Sequence, residues 1–186
     1  MKKIISLVLI MLLTSFALAY DVPENEEYYK TQIQNQRFLY SKSGMFNAIQ
    51  KGNTEVLELF LNAGFSPDST FMGNSALKFA LYKKQSEAFD ILLKHGAKPE
   101  DLLADAVGRK SSNAVKALIM HNADVNAVQY GITPLNYALR TKQPVVVEML
   151  LKAGAKPDEK TYKLVNKSKD AYIKDLFAEY KGKDEK

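Results

Sequence analysis

The chain has 186 residues, 46% of them hydrophobic, a formal net charge of +5 and no cysteine. That length and apolar content suit one globular domain of ordinary size with room for processing segments. The missing thiols exclude a disulfide framework and a lipid-modified cysteine, and so mild a charge, without a clustered basic stripe, argues against nucleic acid as a ligand.

Residues 1–19 read as a secretory signal peptide: Lys2-Lys3, an apolar run from Ile4 to Leu13, then Ala17-Leu18-Ala19 as a small-x-small cleavage site before Tyr20. An uncleaved membrane anchor is the competing reading, but the run falls short of the ~20 residues a spanning helix needs. Stable membrane insertion after cleavage is not expected, and the expected location is periplasmic or secreted. Cleavage would leave 24 basic against 21 acidic side chains. Residues 20–43 are polar and tyrosine-rich. Acidic Glu24, Glu26 and Glu27 precede Tyr28, Tyr29, Ile33 and Tyr40 at helical spacing, which predicts a capping helix from Glu24 to Tyr40. A disordered linker is the alternative.

From Gly44 the pattern becomes pairs of short helices. First helices carry Met45, Ala48 and Ile49, then Leu77, Ala80 and Leu81, then Leu103, Ala106 and Val107, then Leu135, Ala138 and Leu139. Second helices carry apolar faces through Val56 and Phe60, Ala88 and Leu92, Val115 and Leu118, Val147 and Leu150. They stop at Gly64, Gly96, Asn122 and Gly154, residues that tolerate a left-handed helix end. The stretch Gly73–Pro99 recurs without a gap at Gly131–Pro157, fifty-eight residues on, and such self-similarity marks stacked units that lean on one another. The marker alanines step by thirty-two residues, then twenty-six, then thirty-two. The shortening falls between Pro99 and Leu103, where Glu100-Asp101 leads into a helix, so the third unit is expected to lack a hairpin finger. A fifth, divergent pair through Tyr162, Val165, Ile173 and Phe177 closes the stack, with 181–186 as a disordered tail.

Thr133-Pro134-Leu135, the Val146–Leu151 run, and the Gly-Ala and Asn122-Ala123-Asp124-Val125-Asn126 endings together resemble the ankyrin repeat, over residues 44–180. The resemblance implies an all-α solenoid of helix-turn-helix units with short hairpin fingers and an N-terminal capping helix. Where the family usually has histidine after its Thr-Pro-Leu, this chain has Phe46, Lys78, Ala104 and Asn136. Looser bonding between fingers is the expectation, with Ser75 and Thr133 left to cap their helices at about 1 kcal/mol each.

The resemblance implies protein binding through the concave face and fingers, by a monomer without cofactor, metal or enzymatic activity. Carried over residue by residue, the surface comprises Phe71, Met72 and Asn74 on one finger and Gln129, Tyr130 and Ile132 on the other. The ends of the first helices add Gln50, Lys51, Tyr82, Lys83, Arg109, Arg140 and Thr141. Aromatic, methionine and arginine side chains are enriched at interface centres, although Phe71, Met72 and Tyr82 could instead pack on their own units. An immunity or inhibitor protein that occludes a toxin or enzyme is one variant, and a role in oxidative-stress defence is another. A small metal-binding or hydrolytic protein using His95 and His121 is the reading from a different class. The two histidines sit just before helix ends, where a cation is favourable in any case, and they lack a repeating third ligand. A structural role at the envelope, through a basic tail at Lys181–Lys186, is a further alternative.

Overall fold

A computed structural model describes residues 26–99 and 102–184. The signal segment 1–19 and the pair Glu100-Asp101 lie outside the described residues. Helix α1 (Glu26–Asn35) buries Tyr29 and Ile33. It stops at Asn35 instead of reaching Tyr40, because Arg37 turns left-handed (φ 64°) and the Phe38 N–H closes back on the Ile33 carbonyl at 3.2 Å. That reversal buries Phe38 and sets the Tyr40 ring 5.1 Å from Phe65.

The paired helices follow as α2 (Lys42–Lys51) and α3 (Thr54–Asn62), a finger of β1 (Thr70–Phe71) and β2 (Asn74–Ser75), then α4 (Ala76–Lys83) and α5 (Ser86–Lys94). Next come α6 (Leu103–Gly108) and α7 (Ser112–Met120), α8 (Pro134–Arg140) and α9 (Pro144–Lys152), and finally α10 (Glu159–Lys167) and α11 (Ala171–Asp184). Each first helix packs on its own second helix. The second helices form a continuous row, α1 on α3, α3 on α5, α5 on α7, α7 on α9 and α9 on α11. Ala48, Ala80, Ala106 and Ala138 are all solvent-excluded, so a bare methyl recurs where the chain packs most tightly. Leu77, Leu92, Leu118 and Leu135 fill the interior, each contributing about 1.5–3 kcal/mol before the entropy of ordering it.

Caps explain the helix boundaries. The Ser75 and Thr133 hydroxyls accept from the N–H groups of Lys78 and Asn136, both at 3.2 Å. Gly64, Gly96, Asn122 and Gly154 are left-handed, as their spacing predicts. A second left-handed set, Gly52, Lys84, Lys110 and Lys142, closes the first helices; lysine does not announce that conformation in sequence. At the carboxyl end α11 continues through residues 181–184, where a disordered tail was expected. Ile173 and Phe177 dock the helix, and its Tyr180 hydroxyl reaches the Ala155 carbonyl at 3.4 Å.

Hydrogen bonds repeat at the fifty-eight-residue offset. Asp68 Oδ1 accepts the Lys98 N–H at 2.8 Å, and Asn126 Oδ1 accepts the Lys156 N–H at 2.8 Å. The Gln85 side-chain amide donates to the Gln50 carbonyl at 3.1 Å, and that of Gln143, at the same offset, to the Val107 carbonyl, one residue short of the Gln50 equivalent, at 2.9 Å. Gln85 thus ties the turn after α4 to α2, and Gln143 ties the turn after α8 to α6. Between α4 and α6 the corresponding position holds Ser111, too short to reach across. Accordingly α2 packs on α4 and α6 on α8, while α4 and α6 make no comparable contact. Among the described residues, hairpin pairing occurs at Thr70–Ser75 and Phe71–Asn74 and at Gln129–Ile132; the expected loss of a finger before Leu103 falls on Glu100-Asp101, outside the described residues.

Candidate protein-binding surface

Both fingers turn through two left-handed residues: Met72 and Gly73 at φ 50° and 76°, Tyr130 and Gly131 at φ 54° and 73°. This two-residue reversal matches strand twist and favours Asn-Gly. Here its first place holds a large side chain instead, with Met72 85% and Tyr130 74% exposed. A side chain with a Cβ in that backbone costs roughly 1–2 kcal/mol.

The other expected surface residues divide. Phe71 turns inward, its ring 5.4 Å from Phe46, and forms the root of its finger. The Asn74 amide braces the turn by donating to the Met72 carbonyl at 3.3 Å. Gln129 and Ile132 exchange backbone bonds at 3.1 Å, and the enclosed Gln129 Oε1 has no donor among the described residues. Tyr82 is half-buried, its hydroxyl donating to Asp105 Oδ2 at 3.3 Å, with the Arg109 guanidinium stacked 3.6 Å over its ring. Lys78 reaches the same carboxylate at 3.8 Å. Burial works against the Lys78 ammonium, but Tyr82 and Asp105 outweigh it and hold its pKa above the ordinary lysine value. Lys83 lies over Phe79, Lys51 over Phe38, and the Thr141 hydroxyl donates to the Tyr137 carbonyl. Gln50 gives its carbonyl to Gln85. Much of the expected surface is therefore engaged within the stack.

Tyr130, Ile132 and Arg140 converge on one groove of about 450 Å³ between finger two, α8 and α10. Its far wall carries Lys160, Lys163 and Lys167, which sequence reasoning missed because α10 belongs to the most divergent unit. Asn136 lies at its base, buried, where its amide donates to Asp158 Oδ1 at 3.1 Å. The Thr161 hydroxyl sits 2.7 Å from Asn136 Oδ1 and 2.8 Å from Asp158 Oδ1. The Thr161 N–H, and then these side chains, hold the Asp158 carboxyl below its ordinary value of 3.8 against the opposing effect of burial. Asn136 thus makes the bond to the next loop that was expected to be weakened by loss of the histidine. Lys78 occupies the equivalent place in the first half and likewise reaches forward, to Asp105.

His95 and His121 are exposed at the ends of α5 and α7. Among the described residues no three His, Asp or Glu side chains gather as a metal site, and no helix is long and apolar enough to cross a membrane.

A sequence model of ankyrin repeats in three copies matches residues 24–102 and 100–161. The chain belongs to the ankyrin repeat family. Among ankyrin proteins it is 30% identical over 123 residues to the ankyrin repeat domain-containing protein SAT10 of Stachybotrys chartarum, covering 62% of this chain and 6% of that one. It is 34% identical over 120 residues to the ankyrin repeat, SAM and basic leucine zipper domain-containing protein 1 of Echinops telfairi, covering 57% and 25%. The chain therefore spans a quarter or less of these relatives. The human ASB11 ankyrin repeat domain superposes with a TM-score of 0.60 at 20% identity, over 74% of this chain and 68% of that one, a likeness of fold. Ankyrin repeats are protein–protein interaction modules, generally non-enzymatic.

Proposed function

We propose that this ankyrin protein is exported from the cytoplasm and binds a partner protein through its two finger tips and the groove beside the second. The observation that carries this reading is the pair of tips. Each holds a large exposed apolar residue where Asn or Gly would relieve backbone strain, and strain of that kind concentrates at functional sites. Tyr130 adds an aromatic of the type that anchors interfaces, with Arg140 and Ile132 in the same groove. Export is supported by the charged start, apolar run and Ala17-Leu18-Ala19 of the sequence. Occlusion of a toxin or enzyme is the form of binding this surface would serve best, by covering a site without chemistry.

Photo-crosslinking tests the surface. A benzophenone amino acid at Tyr130 should capture a discrete protein in the exporting cell, and the same group at exposed Val145 on α9 should not. Equal capture at both, or at Val145 alone, would refute the surface. Met72→Asn with Tyr130→Asn should abolish capture by a nearby probe while leaving stability unchanged or raised by about 1 kcal/mol, because Asn accepts the left-handed turn. Fractionation of cells with and without residues 1–19 checks export: the deletion should hold the protein in the cytoplasm.

A further inference from the structure

The junction without a glutamine tie carries a second feature, independent of the fingers. A cleft of about 600 Å³ lies between α5 and α7 and the turns that precede them. Each of these helices has nine residues, so the cleft runs for about 13 Å between them. Its floor is apolar, formed by Phe89, Ala114 and Ala117, with Met120 70% exposed at one end. Its rim is cationic: Lys84 and Lys110 at the turns, Arg109 beside them, and Lys94 and Lys116 along the helices, against Asp90 as the acid lining it. None of those four lysines forms an ion pair among the described residues; the paired ones are Lys30, Lys78, Lys152 and Lys163.

We propose that this cleft is a second binding site, and that it takes an acidic segment of a partner protein carrying a large apolar side chain among its carboxylates. The charge argument is complementarity: unpaired ammonium groups frame the trench and little acid opposes them. The floor decides the class of ligand. An apolar trench one helix long fits a side chain projecting from a peptide, whereas a sugar-phosphate backbone or lipid headgroup layer would leave that floor unused. The second site lies on the second-helix side of the stack, so a partner segment could sit there while the finger tips hold their own contact.

The test uses the fluorescein-labelled peptide Glu-Asp-Glu-Leu-Phe-Glu-Asp-Glu, followed by anisotropy against the purified chain at low and raised salt. Saturable binding is expected, weakened about tenfold by Lys84→Gly with Lys110→Gly and Lys116→Ala, and similarly by replacing the peptide's Leu-Phe with Ser-Ser. The variant stays folded because Lys84 and Lys110 are left-handed, as is Gly52 at the same place in the first unit, and glycine relieves strain there. Met72→Asn with Tyr130→Asn should bind the peptide like the parent chain, which separates this site from the finger surface. Absence of saturable binding, or equal affinity for the triple variant, overturns the proposal. Tighter binding of a single-stranded oligonucleotide or a phosphatidylglycerol vesicle, lost in the same variant, overturns the assignment to an acidic peptide.

Discussion

In the first half of the stack the finger is rooted by Phe71 packed at a tilt against Phe46, which also meets Phe79 at 5.2 Å. In the second half the equivalent positions are Gln129 and Ala104, and the glutamine leaves an enclosed acceptor without a donor among the described residues. The turn backbone nevertheless repeats in both, down to left-handed Met72 and Tyr130 and the loop bonds of Asp68 and Asn126, although finger one pairs two rungs and finger two one. Caps, turns and loop-to-backbone bonds therefore set the repeat geometry, and the side chains at a finger's root are free to differ. The first half uses that freedom for an aromatic root; the second uses it for a polar root, Gln129, beside a groove lined with cations.

The largest test of this contrast is Phe46→Ala, which should cost about 3–5 kcal/mol by denaturant unfolding, as a fully buried ring that leaves a cavity. Hydrogen exchange should show finger one losing protection and finger two keeping it; uniform loss would mean the halves are not separate in their anchoring. Next, Asn136→Ala should cost about 1–3 kcal/mol, because Asp158 and Thr161 lose a buried partner. Its counterpart Lys78→Ala should stay within about 1 kcal/mol, since that pair is partly exposed. Equal costs for the two would remove the distinction between the forward contacts.

Smaller effects follow at the junctions. Gln85→Ala and Gln143→Ala should each cost about 1 kcal/mol for one inter-unit bond, and Ser111→Ala should be close to neutral on the same measure. The acid limb adds a pH signature. The Asp158 carboxyl is held below its ordinary value of 3.8, so its contribution is fully present above that value and is lost as pH falls through the lower folded one. Asp158→Asn should flatten acid unfolding, followed by circular dichroism, at the lowest pH alone; a change near neutrality would assign the effect to another group.

Periodicity made the stack legible. The alanines at 48, 80, 106 and 138 and the unequal steps between them sufficed for the helix pairs, two fingers and a closing fifth pair, because apolar spacing and helix-stop residues act locally. The left-handed lysines escaped that reading, since nothing in a lysine marks positive φ. So did the end of α1, fixed by where Phe38 could be buried. The surroundings of the proposed surface were only partly legible: Met72 and Tyr130 are exposed, Phe71, Asn74 and Tyr82 also contact their own neighbours, and the groove beside Tyr130 takes Lys160, Lys163 and Lys167 from a distant unit.

By itself the sequence determined the ankyrin stack and its register, because each depends on residues close along the chain. Only the tertiary structure decided which side chains are left over for a partner. That depends on contacts between units: Gln85 and Gln143 binding across two junctions, Ser111 failing to reach across the third, and α10 folding back to wall the groove. Whether a side chain is spent on packing or free for recognition is settled by what its neighbours across the stack can reach.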